Sequence, residues 1–283
     1  MTSATDKILA RIDEEMKKRG DNPRFFELLH GLFSIQSETE GEIGEISPAL
    51  DKEELLRRQE SGRPLLGYED LNIDWPLLEQ TYKRMADLFG EYTDLFGKLS
   101  SGLEVLARKQ TLSPATVRGW YEEGKLPAAV AANLREYLVM ESVIQSALRP
   151  FLVMNAAPLL DSIEQEKWRR VGCPVCGGKP DFAYLDEERS ARWLVCSRCD
   201  TAWIFQRLQC PFCGSEEQTK LGYSTDEDEI YRLYTCEECH RYLKAVNLKN
   251  LKSPALIPLE RLLTLDLDRQ AQEKGYRPGS AGD

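Results

Sequence analysis

Eight cysteines lie between positions 173 and 239, and the rest of the 283-residue chain has none. They form four Cys-x-x-Cys pairs: Cys173 and Cys176, Cys196 and Cys199, Cys210 and Cys213, Cys236 and Cys239. Nineteen residues separate the first pair from the second, 22 separate the third from the fourth, and 10 lie between the second and the third. Two thiolates two residues apart on a tight turn can aim at one ion. A second such turn, brought in by a hairpin, closes a tetrahedral cage with metal–sulfur distances of about 2.3 Å. "CPVCGG" and "CPFCGS" each place a glycine after the second cysteine, where the backbone must turn. "CSRCDT" and "CEECHR" lack that glycine and are less regular. The near-repeat predicts two copies of one small unit, with all eight cysteines as metal ligands. Four thiolates select zinc or iron. A closed four-cysteine site leaves no position for water, which argues against Lewis-acid hydrolysis. Three uses stay open: structural staples, redox-active or exchangeable iron, and thiol chemistry without metal.

Little else in the chain points to chemistry. His240 follows Cys239 and could replace a thiolate, although Cys236 and Cys239 already complete the set. His30, between Leu29 and Leu32, reads as a core or boundary histidine. With two histidines in all, no Ser/His/Asp set can be built, and no glycine-rich phosphate loop is present. If all eight thiols hold metal, none remains as a nucleophile. No catalytic residue and no organic cofactor site is therefore assigned, and the chain reads as a non-enzyme. Trp193, Trp203, Phe205 and Phe212 alternate with the cysteines and suit a miniature core or a partner-facing patch. Arg198, Arg207 and Arg241 read as solvated groups or as donors to a thiolate.

Charge narrows the partners. The net charge is -10, and residues 166–250 carry 13 Lys/Arg against 14 Asp/Glu, including the run Asp226–Glu229. A nucleic-acid-binding ribbon protein is the alternative reading, helped by the faintly helix-turn-helix-like "LSPATVRGWYEEGKLP". A basic face is missing for it, so no nucleic-acid partner is expected. No run approaches the roughly 20 apolar residues of a membrane helix, so no stable membrane insertion is expected. The charged N-terminus lacks a secretory apolar core. A reducing cytoplasm is the expected compartment, where such cysteines are more often metal ligands or redox thiols than disulfides.

The elements that must position the cysteines follow from patterning. Helical periodicity runs through "TDKILARIDEEMKKRG", through "NPRFFELLHGLFSIQSE" with Asn22 as its N-cap, through a shorter helix within "SPALDKEELLRRQESGRP", through the segment opened by Asp74-Trp-Pro-Leu, through "YTDLFGKLSSGLEVLARKQ", through a short helix opened by Ser113-Pro114, and through "PAAVAANLREYLVMESVIQSALRPFLVMNAAPLL", in which Pro150 should end or kink the helix. "SGRPLLGYEDLNIDWP" reads as a surface crossing. From about residue 166, aromatic and apolar residues alternate between turn signals, as in short hairpin strands. The expected fold class is α+β: residues 1–165 a helical domain, 166–207 and 208–250 two metal modules, and 251–283 a C-terminal helix with a disordered tail.

"CPVCGGKP", "WLVCSRCDTAWIFQRLQCPFCG" and "CEECHRYLK" together resemble the signature of the FdhE family of formate dehydrogenase accessory proteins. Thr201, Trp203, Arg207 and Tyr242-Leu243-Lys244 match it beside the four cysteine pairs. "SGRPLL" and the C-terminal "LDLDRQAQEKGY" match less specifically. His240 stands where some relatives carry glycine. The resemblance is dense over the cysteine region and loose over the helical half. It implies a helical domain followed by two rubredoxin-like modules, with iron favoured over zinc in the two four-cysteine sites. It further implies a cytoplasmic chaperone that contacts the formate dehydrogenase catalytic subunit before export. Periodicity and spacing show no such client, and the oligomeric state stays open.

Overall fold

A computed structural model describes residues 4–20, 22–48, 50–97, 112–126 and 133–279. The helical expectations for residues 98–111 and 127–132 lie outside the described residues. The chain folds as two compact units: Met1–Ser47 with Leu71–Asn155, and Pro48–Asp70 with Ala156–Asp283.

The first unit is helical. Helix α1 (Ala4–Arg19) packs on α2 (Pro23–Ile43). Asn22 caps α2 by accepting from the Phe25 amide, with Pro23 in the first turn, as that sequence predicts. Helix α3 (Lys52–Glu60) belongs to the second unit. Asp74 caps α4 (Trp75–Glu91), which packs on α2, and Ser113 caps α5 (Pro114–Glu123). Phe26, Leu29 and Phe33 of α2, and Leu78, Tyr82 and Met85 of α4, are buried. So are Met140, Ile144 and Phe151 of α6 (Leu134–Ala156).

Two features of this unit bear on the sequence reading. Pro150 sits inside α6 without ending it. The Ser146 carbonyl, four residues earlier, is left without its helical donor and accepts instead from Gln36 Nε2 at 3.0 Å. The stretch Leu134–Ser162 is long and apolar enough, by length and composition, to cross a membrane, although no unbroken apolar run marks it in the sequence. Its window has a mean hydropathy of 1.3 and is 56% buried, as a core helix would be.

The second unit is a seven-stranded mixed sheet with helices. Strands β1 (Pro180–Leu185), β2 (Arg192–Cys196) and β3 (Ala202–Phe205) form one antiparallel meander. Strands β4 (Leu221–Thr225), β5 (Tyr231–Cys236) and β6 (Arg241–Asn247) form another. Parallel pairing of β1 with β6, from Phe182 opposite Lys244 to Leu185 opposite Asn247, joins them in the order β3-β2-β1-β6-β5-β4. The two modules thus share one sheet. Their first hairpin turns also match: Asp186 and Asp226 each accept from an amide five residues on, and Ser190 and Glu229 turn the chain with φ of 51° and 53°.

The C-terminal segment forms two short helices, α7 (Ile257–Leu263) and α8 (Leu265–Glu273), rather than one. They part at Thr264, whose hydroxyl donates back to the Glu260 and Arg261 carbonyls. Lys244 on β6, itself buried, donates to Asp268 and to the Arg261 carbonyl and so pins both helices to the sheet. The tail is ordered further than expected. Arg277–Pro278 forms β7, in parallel pairing with β6, and Arg241 donates to the Gly279 carbonyl.

Residues 48–70 belong to this second unit. Gln59 of α3 acts as an amide clamp: its Nε2 donates to the Ser162 carbonyl and its Oε1 accepts from the Glu164 amide. Leu65 and Leu66 are buried, not on a surface crossing, because their amides bond to the Pro174 and Val175 carbonyls at 2.9 and 2.8 Å. Arg58 fixes this strap from behind, donating to Asp70, to Glu54 and to the Leu65 carbonyl.

Burial pushes the Asp70 carboxyl up, but Arg58 and the Gly67 amide outweigh it and hold its pKa below the ordinary carboxylate value. A depressed folded pKa adds stability above the unfolded value and loses it as pH falls through the folded one. Asp70→Asn should lower stability by roughly 1–2 kcal/mol at neutral pH. It should also flatten the acid limb of a thermal-denaturation series between pH 7 and 3, while the wild type loses stability across that limb.

Candidate metal centres

The four Cys-x-x-Cys turns have one geometry. The residue after each second cysteine has positive φ: Gly177 at 72°, Asp200 at 55°, Gly214 at 77° and His240 at 52°. The amides of Gly177, Gly214 and His240 bond back to the carbonyls of Cys173, Cys210 and Cys236. In three turns the amide two residues past the first cysteine points at its sulfur: Val175 to Cys173, Arg198 to Cys196 and Phe212 to Cys210, each at 3.4 Å. The two turns without glycine therefore share the positive φ of the two with it. Asp200 and His240 occupy a conformation that costs a side-chain-bearing residue roughly 1–2 kcal/mol.

The sheet brings the turns together in two sets. β1 and β2 place Cys196 beside the 173–176 turn, and β5 and β6 place Cys236 and Cys239 beside the 210–213 turn. Within each set the four sulfur atoms lie within 4.8 Å of one another, so each set could hold one metal ion. Cys173–Cys199 is 3.7 Å, Cys176–Cys196 and Cys176–Cys199 are 3.4 Å, and Cys210–Cys239 and Cys213–Cys236 are 3.7 Å. A tetrahedron with 2.3 Å metal–sulfur bonds has edges of about 3.8 Å. The eight cysteines are free, with no disulfide among them.

The electrostatics fit a cation. Burial, reinforced by the three neighbouring thiols, raises the Cys173 pKa well above the ordinary value. Burial pushes Cys210 up to about 11, and burial with the charge of Cys210 raises Cys239. At Cys213 burial also pushes up, but the Ser215 amide and the three partner thiols outweigh it and lower the value. Four thiols held this close resist losing all their protons together, and a bound cation reverses that preference. The donor set, the sulfur spacing and the amides aimed at sulfur all fit an ion enclosed by four thiolates.

The surrounding residues sort differently from their sequence reading. Trp203 is buried, with its Nε1 donating to the Arg170 carbonyl, and Phe205 is buried, as a miniature core requires. Trp193 stacks on Tyr184 at 5.8 Å and donates to Asp186. His30 is exposed on α2, not a core residue. His240 is exposed and outside both sulfur sets. Arg241 is buried rather than solvated, whereas Arg207 is exposed.

Two further residues near the cysteines carry no signal in the sequence. Arg192 of β2 is buried between the rings of Phe205 and Tyr234 and donates to the carbonyls of Gln206 and Gln209, in the linker between the modules. Burial lowers its pKa to about 10. Arg261 of α7 donates to the Cys196 carbonyl and pairs with Asp181 and Asp200. Neither lies in a motif, so no local pattern marks them.

Comparison with known proteins adds a family. Residues 172–207 match the family model described as "FdhE, central domain", a stretch that holds the whole first sulfur set. A "Protein FdhE homolog" from Aquifex aeolicus is 26% identical over 273 residues, covering 95% of this chain and 90% of that protein. One from Shewanella oneidensis is 27% identical, covering 89% and 78%. The crystal structure of the FdhE protein from Pseudomonas aeruginosa shares the fold, with a TM-score of 0.63 over 99% of this chain and 94% of that one, at 22% identity.

Backbone strain at the glycine-free turns is open to a direct check. His240→Gly should raise stability by about 0.5–1 kcal/mol, read as a higher melting temperature, while His240→Ala should give no gain. Asp200→Gly should lower it, because the relief of φ is outweighed by loss of the Arg261 pair.

Proposed function

We propose that the chain is a member of the FdhE family, as its similarity to FdhE homologues over most of its length supports, and that it is an accessory protein for the maturation of formate dehydrogenase. It acts in the cytoplasm as a chaperone that binds the catalytic subunit, rather than as an enzyme. The observation that carries this reading is the presence of two complete four-cysteine sets in one continuous sheet. Such a surface has its shape set by ions and leaves no cysteine over for catalysis.

Cys173, Cys176, Cys196 and Cys199 hold one ion in this reading, and Cys210, Cys213, Cys236 and Cys239 hold the other, with iron as the proposed metal. A bound ion would cross-link two turns, and iron would add one-electron chemistry. The chain's own residues do the rest. The meanders hold the sulfurs in place, Arg192 ties the linker to both modules, and Lys244 and Arg261 anchor the C-terminal helices. Exposed Leu208, at the start of the second module, and exposed Tyr223 on the edge strand β4 offer apolar anchors to a client.

Anaerobically purified protein should contain two metal ions per chain, with the absorbance of iron thiolate. Cys173→Ser and Cys210→Ser should each lose one ion and weaken co-purification of the catalytic subunit. Normal formate dehydrogenase assembly with both sets emptied would show that these centres do not carry the function.

A further inference from the structure

The two sulfur sets differ in how they are covered. In the first, all four cysteines are between 0 and 5% exposed. In the second, Cys210 and Cys236 are equally buried, but Cys239 is only half-covered and Cys213 is exposed. The turns explain the difference. Over the first, Pro64 lies 3.0 Å from where a side chain on Gly177 would begin, and the Leu65 and Leu66 amides bond to the Pro174 and Val175 carbonyls. At the matching glycine of the second set, Gly214, no described residue lies within 4 Å of that point. A side chain at Gly178 would meet the Cys196 sulfur at 2.9 Å, whereas the matching position in the second turn already carries Ser215. A strap, a close-packed glycine and Arg261 close the first set, while in the second the tail at Gly279 packs on Phe212 and Cys213 is left exposed.

We propose that the second set is an exchange site, at which an incoming thiolate replaces Cys213 on the bound ion, while the first set stays closed. This rests on the reading that each set holds an ion. A centre with four cysteine ligands has no vacant position, so exchange needs a ligand that can leave and a path for its replacement. Cys213 provides both. Its bond to the ion breaks as the incoming thiolate forms a bond, and Cys213 then takes a proton from water. The number of sulfur donors is unchanged and no electron moves. The thiolate can come from a cysteine of a protein client or from a small cellular thiol.

The test uses the full chain loaded with zinc at both sets, so that redox chemistry does not intrude. Ion release is followed with a chromogenic chelator, alone, with glutathione, and with a synthetic peptide carrying one cysteine. Alkylation by N-ethylmaleimide is mapped by peptide mass spectrometry in parallel. One ion should leave at least about tenfold faster than the other, since exchange follows local exposure. Labelling should reach Cys213 before any cysteine of the first set. Pro64→Gly should speed release of the slow ion, and Cys213→Ser should leave only the slow ion bound. Acceleration by the peptide but not by glutathione identifies a client cysteine as the donor, and acceleration by glutathione identifies a small thiol. Equal release of the two ions, first labelling within Cys173–Cys199, or no acceleration by either thiol overturns the proposal. A chain that takes up no zinc overturns instead the underlying reading that the sets hold ions.

Discussion

Four thiols within 4.8 Å of one another define the physical problem this chain solves twice. In the absence of a cation, each ionisation raises the cost of the next, and burial adds to it, as at Cys173. The turns are shaped for the opposite state. In three of the four turns the amide two residues past the first cysteine points at its sulfur, and in all four the residue after the second cysteine has positive φ. Such donors favour charged sulfur, so the backbone is arranged for thiolates that only a cation can hold together. Asp200 and His240 show how strongly the conformation is imposed, since each adopts it despite a side chain.

The sheet converts two local clasps into one body. Each meander could be an independent ribbon. The parallel pairing of β1 with β6 removes an edge from both and makes β6 a central strand, buried at all seven positions. Burial there includes Lys244, whose ammonium is costly to desolvate and is compensated by Asp268 and by helix carbonyls. The C-terminal helices are therefore part of what makes the central strand tolerable. Arg192 plays the same part between the modules, satisfying the Gln206 and Gln209 carbonyls.

Legibility in the sequence tracks how local each determinant is. The cysteine pairs, the hairpins between them and the caps at Asn22, Asp74 and Ser113 are set within a few residues, and they are read directly. The α+β class follows from the same local patterns. Long-range features are not visible in this way. The strap at Leu65–Leu66 is surrounded by Gly, Arg and Pro and looks like a surface loop, because the carbonyls that receive its amides lie more than 100 residues downstream. Pro150 reads as a helix breaker, because its compensation comes from Gln36 on another helix. The turns at Asp200 and His240 look irregular because the missing glycine hides a conformation that the sulfurs and the strands enforce.

The near-repeat of "CPVCGG" and "CPFCGS" makes the two sulfur sets look equivalent, and the chain then breaks that equivalence with residues far from either motif. Pro64, Leu65 and Leu66 come from a segment more than 100 positions before the first cysteine pair, and Arg261 comes from well after the last. All of them converge on the first set. The second set receives lesser cover, from β7 through the bond of the Arg277 amide to the His240 carbonyl. A duplicated metal clasp needs no such difference for stability alone. One closed and one open centre on a shared sheet allow the first to hold the fold constant while the ligands of the second change.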